Sequence, residues 1–184
     1  DDDDILIGGD GGDEVFGNAG DDVLFVIDVS LGAEFSEQPW SGGVNDLYDG
    51  GAGEDLIVVN DDIDITLSNI NLQMSVYGNH TAGNIEVAHL TGGASANTID
   101  AAGFSGRTII RGKGENDILR GGSDTDVIEG GDGDDTITAN AGDDTITGGA
   151  GTNTLTGGHD DDTYVFNDIT AIDTVLESAA GGDD

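Results

Sequence analysis

The sequence contains no cysteine, a single proline and only four basic side chains among its 184 residues. Without cysteine, no disulfide framework can hold the fold. Asp and Glu total 39, and the resulting formal net charge of −35 repels nucleic acid phosphates and anionic lipid, so we expect neither as a partner. No apolar run approaches the ~20 residues that span a bilayer, and we expect no membrane insertion.

Aromatic residues make up only 5% of the chain, which with this charge is typical of a disordered protein unless a bound cation offsets the ordering entropy. The motifs of common enzymes are also missing. There is no G-x-S-x-G, no H-E-x-x-H and no phosphate-binding loop with its lysine. We therefore expect no catalytic residues and no enzymatic activity.

What the sequence has in abundance is glycine, with 33 residues, arranged with a period of nine. Residues 8–16 form a complete G-G-x-G-x-D-x-U-x unit, where U is a large apolar residue, and 17–25 follow in register. A second pair of units occupies 41–49 and 50–58. The longest run, 112–165, contains six units without an insertion or deletion. Such register over many units indicates one repeated structural element.

These units resemble the RTX, or hemolysin-type, calcium-binding nonapeptide repeat family. The resemblance implies an all-β fold, a right-handed parallel β-solenoid known as the RTX β-roll. In each unit the first six positions form a turn, because glycine tolerates positive φ, and the last three form a short strand. Two units complete one coil, so each turn lies over the turn eighteen residues further on.

One apolar side chain per unit points inward, and together these side chains predict a thin continuous core. The predicted core residues are Leu6, Val15, Leu24, Tyr48, Ile57, Leu119, Ile128, Ile137, Ile146, Leu155 and Tyr164.

The resemblance also implies several calcium ions between stacked turns. Calcium takes roughly six to eight oxygen ligands and tolerates irregular geometry, whereas magnesium prefers its own waters and zinc prefers His and Cys. The implied ligands at the sixth position are Asp4, Asp13, Asp22, Asp46, Asp55, Asp117, Asp126, Asp135, Asp144 and Asp162, with Asn153 as a neutral equivalent. The implied turn ligands are Gly8, Asp10, Gly11, Gly17, Ala19, Gly20, Gly51, Gly53, Gly122, Asp124, Gly131, Gly133, Asn140, Gly142, Gly149, Gly151 and Asp160.

The repeats divide the chain into four predicted segments. Residues 1–58 form an N-terminal calcium-binding β-roll with an inserted loop at 26–40, and 112–166 form a second one. Between them, 59–111 keeps apolar alternation but loses the calcium motif, which predicts a metal-poor stretch of solenoid. Residues 167–184 are a post-repeat tail that we expect to stop before its next strand.

All the basic residues lie near the start of the second array. We consider two explanations: they replace calcium by bridging nearby acidic residues, or they form ordinary surface ion pairs. The residues concerned are Arg107, Arg111, Lys113 and Arg120, with Glu115, Asp117 and Glu129 as the acidic candidates.

The resemblance implies a calcium-binding module of a larger secreted bacterial-type protein, exported by type I secretion and folded by extracellular calcium. It would act as a structural, spacer or adhesive segment at the cell surface, with head-to-tail self-association or glycan contact. Two alternatives remain open. Outward threonines, as in Thr136-Ile137-Thr138, could form ladders that bind ice or carbohydrate, or the module could serve an attached extracellular enzyme.

Overall fold

The computed structural model describes residues 3–8, 14–26, 47–74, 78–168 and 172–176, and all regular structure in them is β-strand. No described segment forms a helix that could cross a membrane. The strands are β1 (Ile5–Ile7), β2 (Glu14–Ala19), β3 (Val23–Phe25), β4 (Leu47–Ala52), β5 (Leu56–Asn60), β6 (Ile65–Ser68), β7 (Leu72–Met74), β8 (Gly78–Gly83), β9 (Val87–Thr91), β10 (Thr98–Gly103), β11 (Arg107–Gly114), β12 (Ile118–Arg120), β13 (Val127–Asp132), β14 (Thr136–Ala141), β15 (Thr145–Ala150), β16 (Thr154–His159), β17 (Thr163–Val165) and β18 (Thr174–Val175).

Two sheets run the length of the described chain. The eight-stranded sheet has the order β1-β3-β5-β9-β11-β13-β15-β17, and the ten-stranded sheet has the order β18-β16-β14-β12-β10-β6-β7-β8-β4-β2. From β12 to β17 successive strands alternate between the sheets, so the chain coils. Neighbouring strands in this part of each sheet are parallel, as where Ile118 pairs with Thr136 and Thr136 with Thr154. The predicted all-β parallel β-roll is confirmed.

The core is a column of apolar side chains between the sheets, and each repeat unit contributes one inward-facing side chain from its strand. Nine of the predicted core residues are buried, and the other two, Leu6 and Tyr164, pack partly buried against the same cluster near its ends. Burial of one such side chain stabilises the fold by about 1.5–3 kcal/mol. The nine-residue apolar spacing therefore identified the core correctly.

The central part departs from a simple parallel coil. β7 runs antiparallel to both β6 and β8, while β6 pairs parallel with β10 and β8 pairs parallel with β4. Leu72 and Met74 of β7 are buried, so this reversed strand still contributes to the core. Apolar alternation predicted strands here, but alternation carries no information on strand direction.

Several predictions lie wholly or mostly outside the described residues. These are the inserted loop at 26–40, of which only Val26 is described, and the predicted ligands Asp10, Gly11, Asp13 and Asp46. In the tail, β18 continues the ten-stranded sheet by pairing parallel with β16.

Candidate metal centre at the stacked turns

The described sixth-position side chains form a carboxylate ladder, one rung per coil, and all of them except the exposed Asp4 are buried in the roll. At each rung, the side-chain Oδ1 accepts a hydrogen bond from the backbone N–H of the sixth-position residue one coil earlier. On the ten-stranded side the N–H to Oδ1 bonds are Asn97 to Asp117 (2.7 Å), Asp117 to Asp135 (2.8 Å) and Asp135 to Asn153 (2.9 Å). On the eight-stranded side they are Asp4 to Asp22 (2.7 Å), Asp22 to Asp55 (2.9 Å), Thr108 to Asp126 (2.6 Å), Asp126 to Asp144 (2.7 Å) and Asp144 to Asp162 (3.1 Å).

The second carboxylate oxygens are buried as well, and most of them lack a donor. Within the part of the chain that the structure describes, Oδ2 has no hydrogen-bond partner in Asp22, Asp55, Asp117, Asp135 and Asp144. Buried acceptors without a donor cost roughly 1–3 kcal/mol each, more when charged. A cation beside these oxygens would remove that cost.

Burial shifts the acidity of the ladder in the same sense. Burial raises the pKa of Asp117 to about 6 and that of Asp144 to about 7, and it also raises the pKa of Asp55, Asp126 and Asp135. Each pKa unit corresponds to about 1.4 kcal/mol. In the absence of a counter-ion, ionised ladder carboxylates therefore destabilise the fold at neutral pH.

The turns bring backbone carbonyls toward the same region. At the second and fourth positions of most units, the backbone adopts positive φ, as in Gly149 (94°) and Gly151 (111°). These two glycines rest on the carbonyl oxygens of Gly131 and Gly133 in the coil before, and a β-carbon on either would approach closer than 3.0 Å. Carbonyl oxygens thus line the space between stacked turns, and glycine permits that close approach.

At the first position, a carboxylate and a carbonyl meet. A β-carbon on Gly130 would lie within 3.0 Å of both Asp135 Oδ2 and the carbonyl oxygen of Gly148, and Gly112 stands in the same relation to Asp117 Oδ2 and the Gly130 carbonyl. Both oxygens are hydrogen-bond acceptors, so neither can donate a hydrogen bond to the other. We call this arrangement the oxygen cradle.

The donor set fits calcium. Its atoms are carboxylate and carbonyl oxygens, and among the described residues no three His, Cys, Asp or Glu side chains converge as a metal-binding group. Backbone carbonyls would therefore supply much of the coordination shell, as they do for calcium but not for zinc.

Besides Gly149 and Gly151, eight of the predicted turn ligands that are described have positive φ, whereas the 121–129 unit differs. The eight are Gly20, Gly51, Gly53, Gly131, Gly133, Asn140, Gly142 and Asp160. In the 121–129 unit, Asp126 Oδ2 accepts the N–H of Gly122 at 2.6 Å, so backbone donors occupy both of its oxygens. Neither Gly122 nor Asp124 has positive φ. We call the turns whose Oδ2 has no donor the open turns, and the turn at 121–126 is not one of them.

Turn 92–97 has the opposite polarity to the open turns. The N–H groups of Ala94 and Ser95 donate to the Asp62 carboxylate at 3.2 Å each, and Gly93 N–H donates to Asn97 Oδ1 at 2.8 Å. Hydrogen bonds from the Ser95 and Asn97 side chains lower the pKa of Asp62. The N–H groups of this turn therefore bind a carboxylate of the protein, that of Asp62, where the open turns present carbonyl oxygens.

Several members of the site were not predicted from the sequence. Glu86 and Asp173 extend the ladder: Glu86 Oε2 accepts Asp55 N–H at 3.0 Å, and Asp173 Oδ1 accepts Asn153 Nδ2–H at 2.8 Å. Asp173 does carry a signal, since Asp173-Thr174-Val175 matches D-x-U. The unpredicted turn residues with positive φ are Asn18, Asn84, Lys113, Glu115 and Gly158.

Two of the four basic residues form largely exposed ion pairs. Arg111 Nε lies 3.5 Å from Glu129 Oε2, and Arg120 Nη1 lies 3.1 Å from Asp100 Oδ2. Among the described residues, neither Glu115 nor Asp117 has an ion-pair partner. Exposed pairs of this kind contribute about 0–1 kcal/mol each. The predicted bridge to Glu129 exists, but the bridges to the other two acids do not.

Fold and site together define a parallel β-roll whose stacked turns are lined by oxygen atoms. Comparison with protein families agrees: the profile of the RTX calcium-binding nonapeptide repeat matches in four copies, over residues 1–26, 102–137 and 129–164. Residues 1–26 and 102–164 are thus RTX calcium-binding repeats, as the resemblance predicted, and such repeats imply a calcium-binding module. A search of curated proteins gives no match.

Proposed function

We propose that this module folds when it binds extracellular calcium and acts as a structural spacer or adhesive segment of a larger secreted protein, without chemistry of its own. The observation that carries the proposal is the carboxylate ladder, whose buried Oδ2 atoms lack donors in the described structure and whose pKa values are raised by burial. Such a ladder is stable at neutral pH only with a cation beside it.

The residues that would hold calcium are those of the oxygen cradles. The second carboxylate oxygens of Asp22, Asp117, Asp135 and Asp144 would do so together with the carbonyls of the adjacent turns. Bound calcium supplies positive charge and is coordinated by these oxygens. Because the ion binds only the folded turns, each site stabilises the fold by RT ln(1 + [L]/Kd).

The net charge gives this module two states. With a formal charge of −35, the metal-free chain repels itself, which favours an extended form suited to export through a type I secretion channel. Extracellular calcium would then convert the same charges into bridges between coils. The secretory route rests on the family resemblance, since RTX repeats are typical of secreted proteins.

The placement of the acidic groups supports a structural role over a catalytic one. A general acid needs a raised pKa and access to substrate. Asp117, Asp135 and Asp144 have raised pKa values, but each is buried and tied through Oδ1 to a backbone amide. The surface cavity of ≈ 420 Å³ beside Asp132 and Asp168 has a mainly polar lining, to which Ala150 contributes the one apolar side chain, and such a lining does little to raise a carboxylate pKa.

The test is far-UV circular dichroism of chelator-stripped protein titrated with calcium and, separately, with magnesium. We expect a disordered spectrum that converts to β-structure with calcium and not with magnesium. A β-spectrum that persists in chelator would refute calcium-dependent folding.

A recognition surface is the second candidate, and one observation favours it. On the outer face of the ten-stranded sheet, Thr136 pairs with Thr154, Thr154 with Thr174, and Thr138 with Thr156, which gives a group of five threonines. Thr145 and Thr147 lie on the other sheet, and Ile118 precedes Thr136 in the row, so the array is small. If this group binds ice or glycan, Thr156→Tyr should abolish binding while leaving calcium-induced folding intact.

A further inference from the structure

The short turn at residues 83–86 stacks on the turn at 50–55, at a place where the nonapeptide pattern stops. The family profile matches neither turn. Asp55 is completely buried, and its Oδ2 has no hydrogen-bond partner among the described residues. A β-carbon on Gly50 would lie within 3.0 Å of both this Oδ2 and the carbonyl oxygen of Asn84. A buried carboxylate oxygen and a carbonyl therefore converge without a donor.

This arrangement reproduces the oxygen cradle of the preceding coil. There, a β-carbon on Gly17 would approach Asp22 Oδ2 and the carbonyl of Gly50 in the same way. The carbonyl that a first-position glycine supplies at that cradle is supplied by Asn84 at this one. The cradle is thus rebuilt by a segment that has no repeat motif.

Two further contacts hold turn 83–86 in place. Glu86 Oε2 accepts the backbone N–H of Asp55 at 3.0 Å, which is the ladder bond made here by the longer glutamate side chain. Asn84 donates from Nδ2 to Asp49 Oδ1 at 2.8 Å and has a φ of 50°, in the left-handed region that turn residues of the repeats also adopt. Glu86 is exposed at the rim, with a second carboxylate oxygen available to an ion.

We propose that a calcium ion binds between turns 50–55 and 83–86, held by Asp55 Oδ2, the Asn84 carbonyl and the Glu86 carboxylate. The site rests on the proposed calcium-dependent function and extends it into the segment 59–111 that the sequence predicted to be metal-poor. It would link the N-terminal array to the central strands.

The test is the number of calcium ions bound per chain, measured by equilibrium dialysis on the full chain, for wild type, Glu86→Gln and Glu54→Gln. Glutamine keeps an acceptor for the Asp55 N–H but removes the charge. Glu54 is an exposed acid in the same turn, so its variant controls for the change in net charge. We expect Glu86→Gln to bind one ion fewer than both other proteins.

Hydrogen exchange provides the second measurement. In wild type and Glu54→Gln, calcium should slow exchange of the amides at 83–86, and in Glu86→Gln this calcium effect should disappear. Equal ion counts and equal protection in all three proteins would overturn the site while leaving the proposed function intact. A wild-type chain that binds no calcium would instead overturn the proposed function itself.

Discussion

Replacing Asp144 by asparagine should stabilise the metal-free roll and weaken its response to calcium. Asp144 Oδ1 accepts the Asp126 N–H at 2.7 Å, while Oδ2 is buried with no donor among the described residues. Asparagine keeps the Oδ1 acceptor and puts a neutral amide group in place of Oδ2. The chain already contains this solution, because Asn153 Oδ1 accepts the Asp135 N–H at 2.9 Å.

The size of the effect follows from the pKa shift. Burial raises the pKa of Asp144 from 3.8 to about 7, so the folded metal-free state favours the protonated form. The stability that this protonation supports is complete below pH 3.8 and is lost as pH rises through 7. At about 1.4 kcal/mol per unit, the ionised carboxylate costs up to ~4 kcal/mol at pH 8, and Asp144→Asn removes that cost. With calcium present, the variant loses a charged ligand instead.

The assay uses two titrations at pH 8 followed by circular dichroism. In chelator, an excluded osmolyte drives folding, and Asp144→Asn should fold at a lower osmolyte concentration than wild type. In calcium, the variant should need more metal to fold. Asp143→Asn is the control, because Asp143 is exposed and an asparagine Oδ1 can still accept the Asp161 N–H. Identical shifts for both variants would refute the assignment of the charge cost to the buried oxygen.

Three further outcomes are expected. In chelator, β-structure should be greatest near pH 4 and fall as pH rises through about 6 to 7, because burial raises the pKa of the ladder carboxylates; circular dichroism against pH checks this, and a flat profile contradicts it. Gly133→Ala should lower the calcium-loaded stability by more than ~1 kcal/mol, since the residue has a φ of 133° and faces a backbone carbonyl, whereas Gly114→Ala, with its nearest atoms at 3.7 Å, should be close to neutral in urea unfolding. Asn153→Asp removes the shorter, side-chain hydrogen bond to Asp173 Oδ1 and should speed hydrogen exchange at 172–176; unchanged exchange would show that this side-chain bond does not hold the tail.

The periodic part of the fold could be predicted from the sequence because each unit forms the same turn followed by the same short strand. The D-x-U spacing places one aspartate and one apolar residue inside per strand, so Asp135 and Ile137, for example, are both buried. The pairing of Asp117 with Asp135 follows from two units per coil and is present as a hydrogen bond. Repetition turns a weak local signal into a reliable one.

The rest depends on contacts that are not periodic. The Asp62 carboxylate, whose partners Ala94 and Ser95 lie more than thirty residues away, leaves no trace in the local pattern. Residue type alone also does not decide whether a turn is open. Asp160 and Asp124 share the fourth position of their units, yet only Asp160 has positive φ. Tertiary packing selects between these two turn conformations.

The ladder separates the task of stacking coils from the task of holding an ion. The stacking bond from a backbone N–H to a side-chain oxygen is made equally by Asp135, Asn153 and Glu86 as acceptors, so it does not require a negative charge. Asparagine could therefore serve throughout if stacking were the only demand, and it would avoid the cost of a buried carboxylate.

Aspartate at most rungs is explained by its second oxygen, which in the open turns faces carbonyls rather than donors. Where the turn supplies its own N–H, as Gly122 does for Asp126, the same side chain is satisfied without metal. The demand for calcium is accordingly uneven along the roll, and it follows the direction in which each turn points its backbone groups.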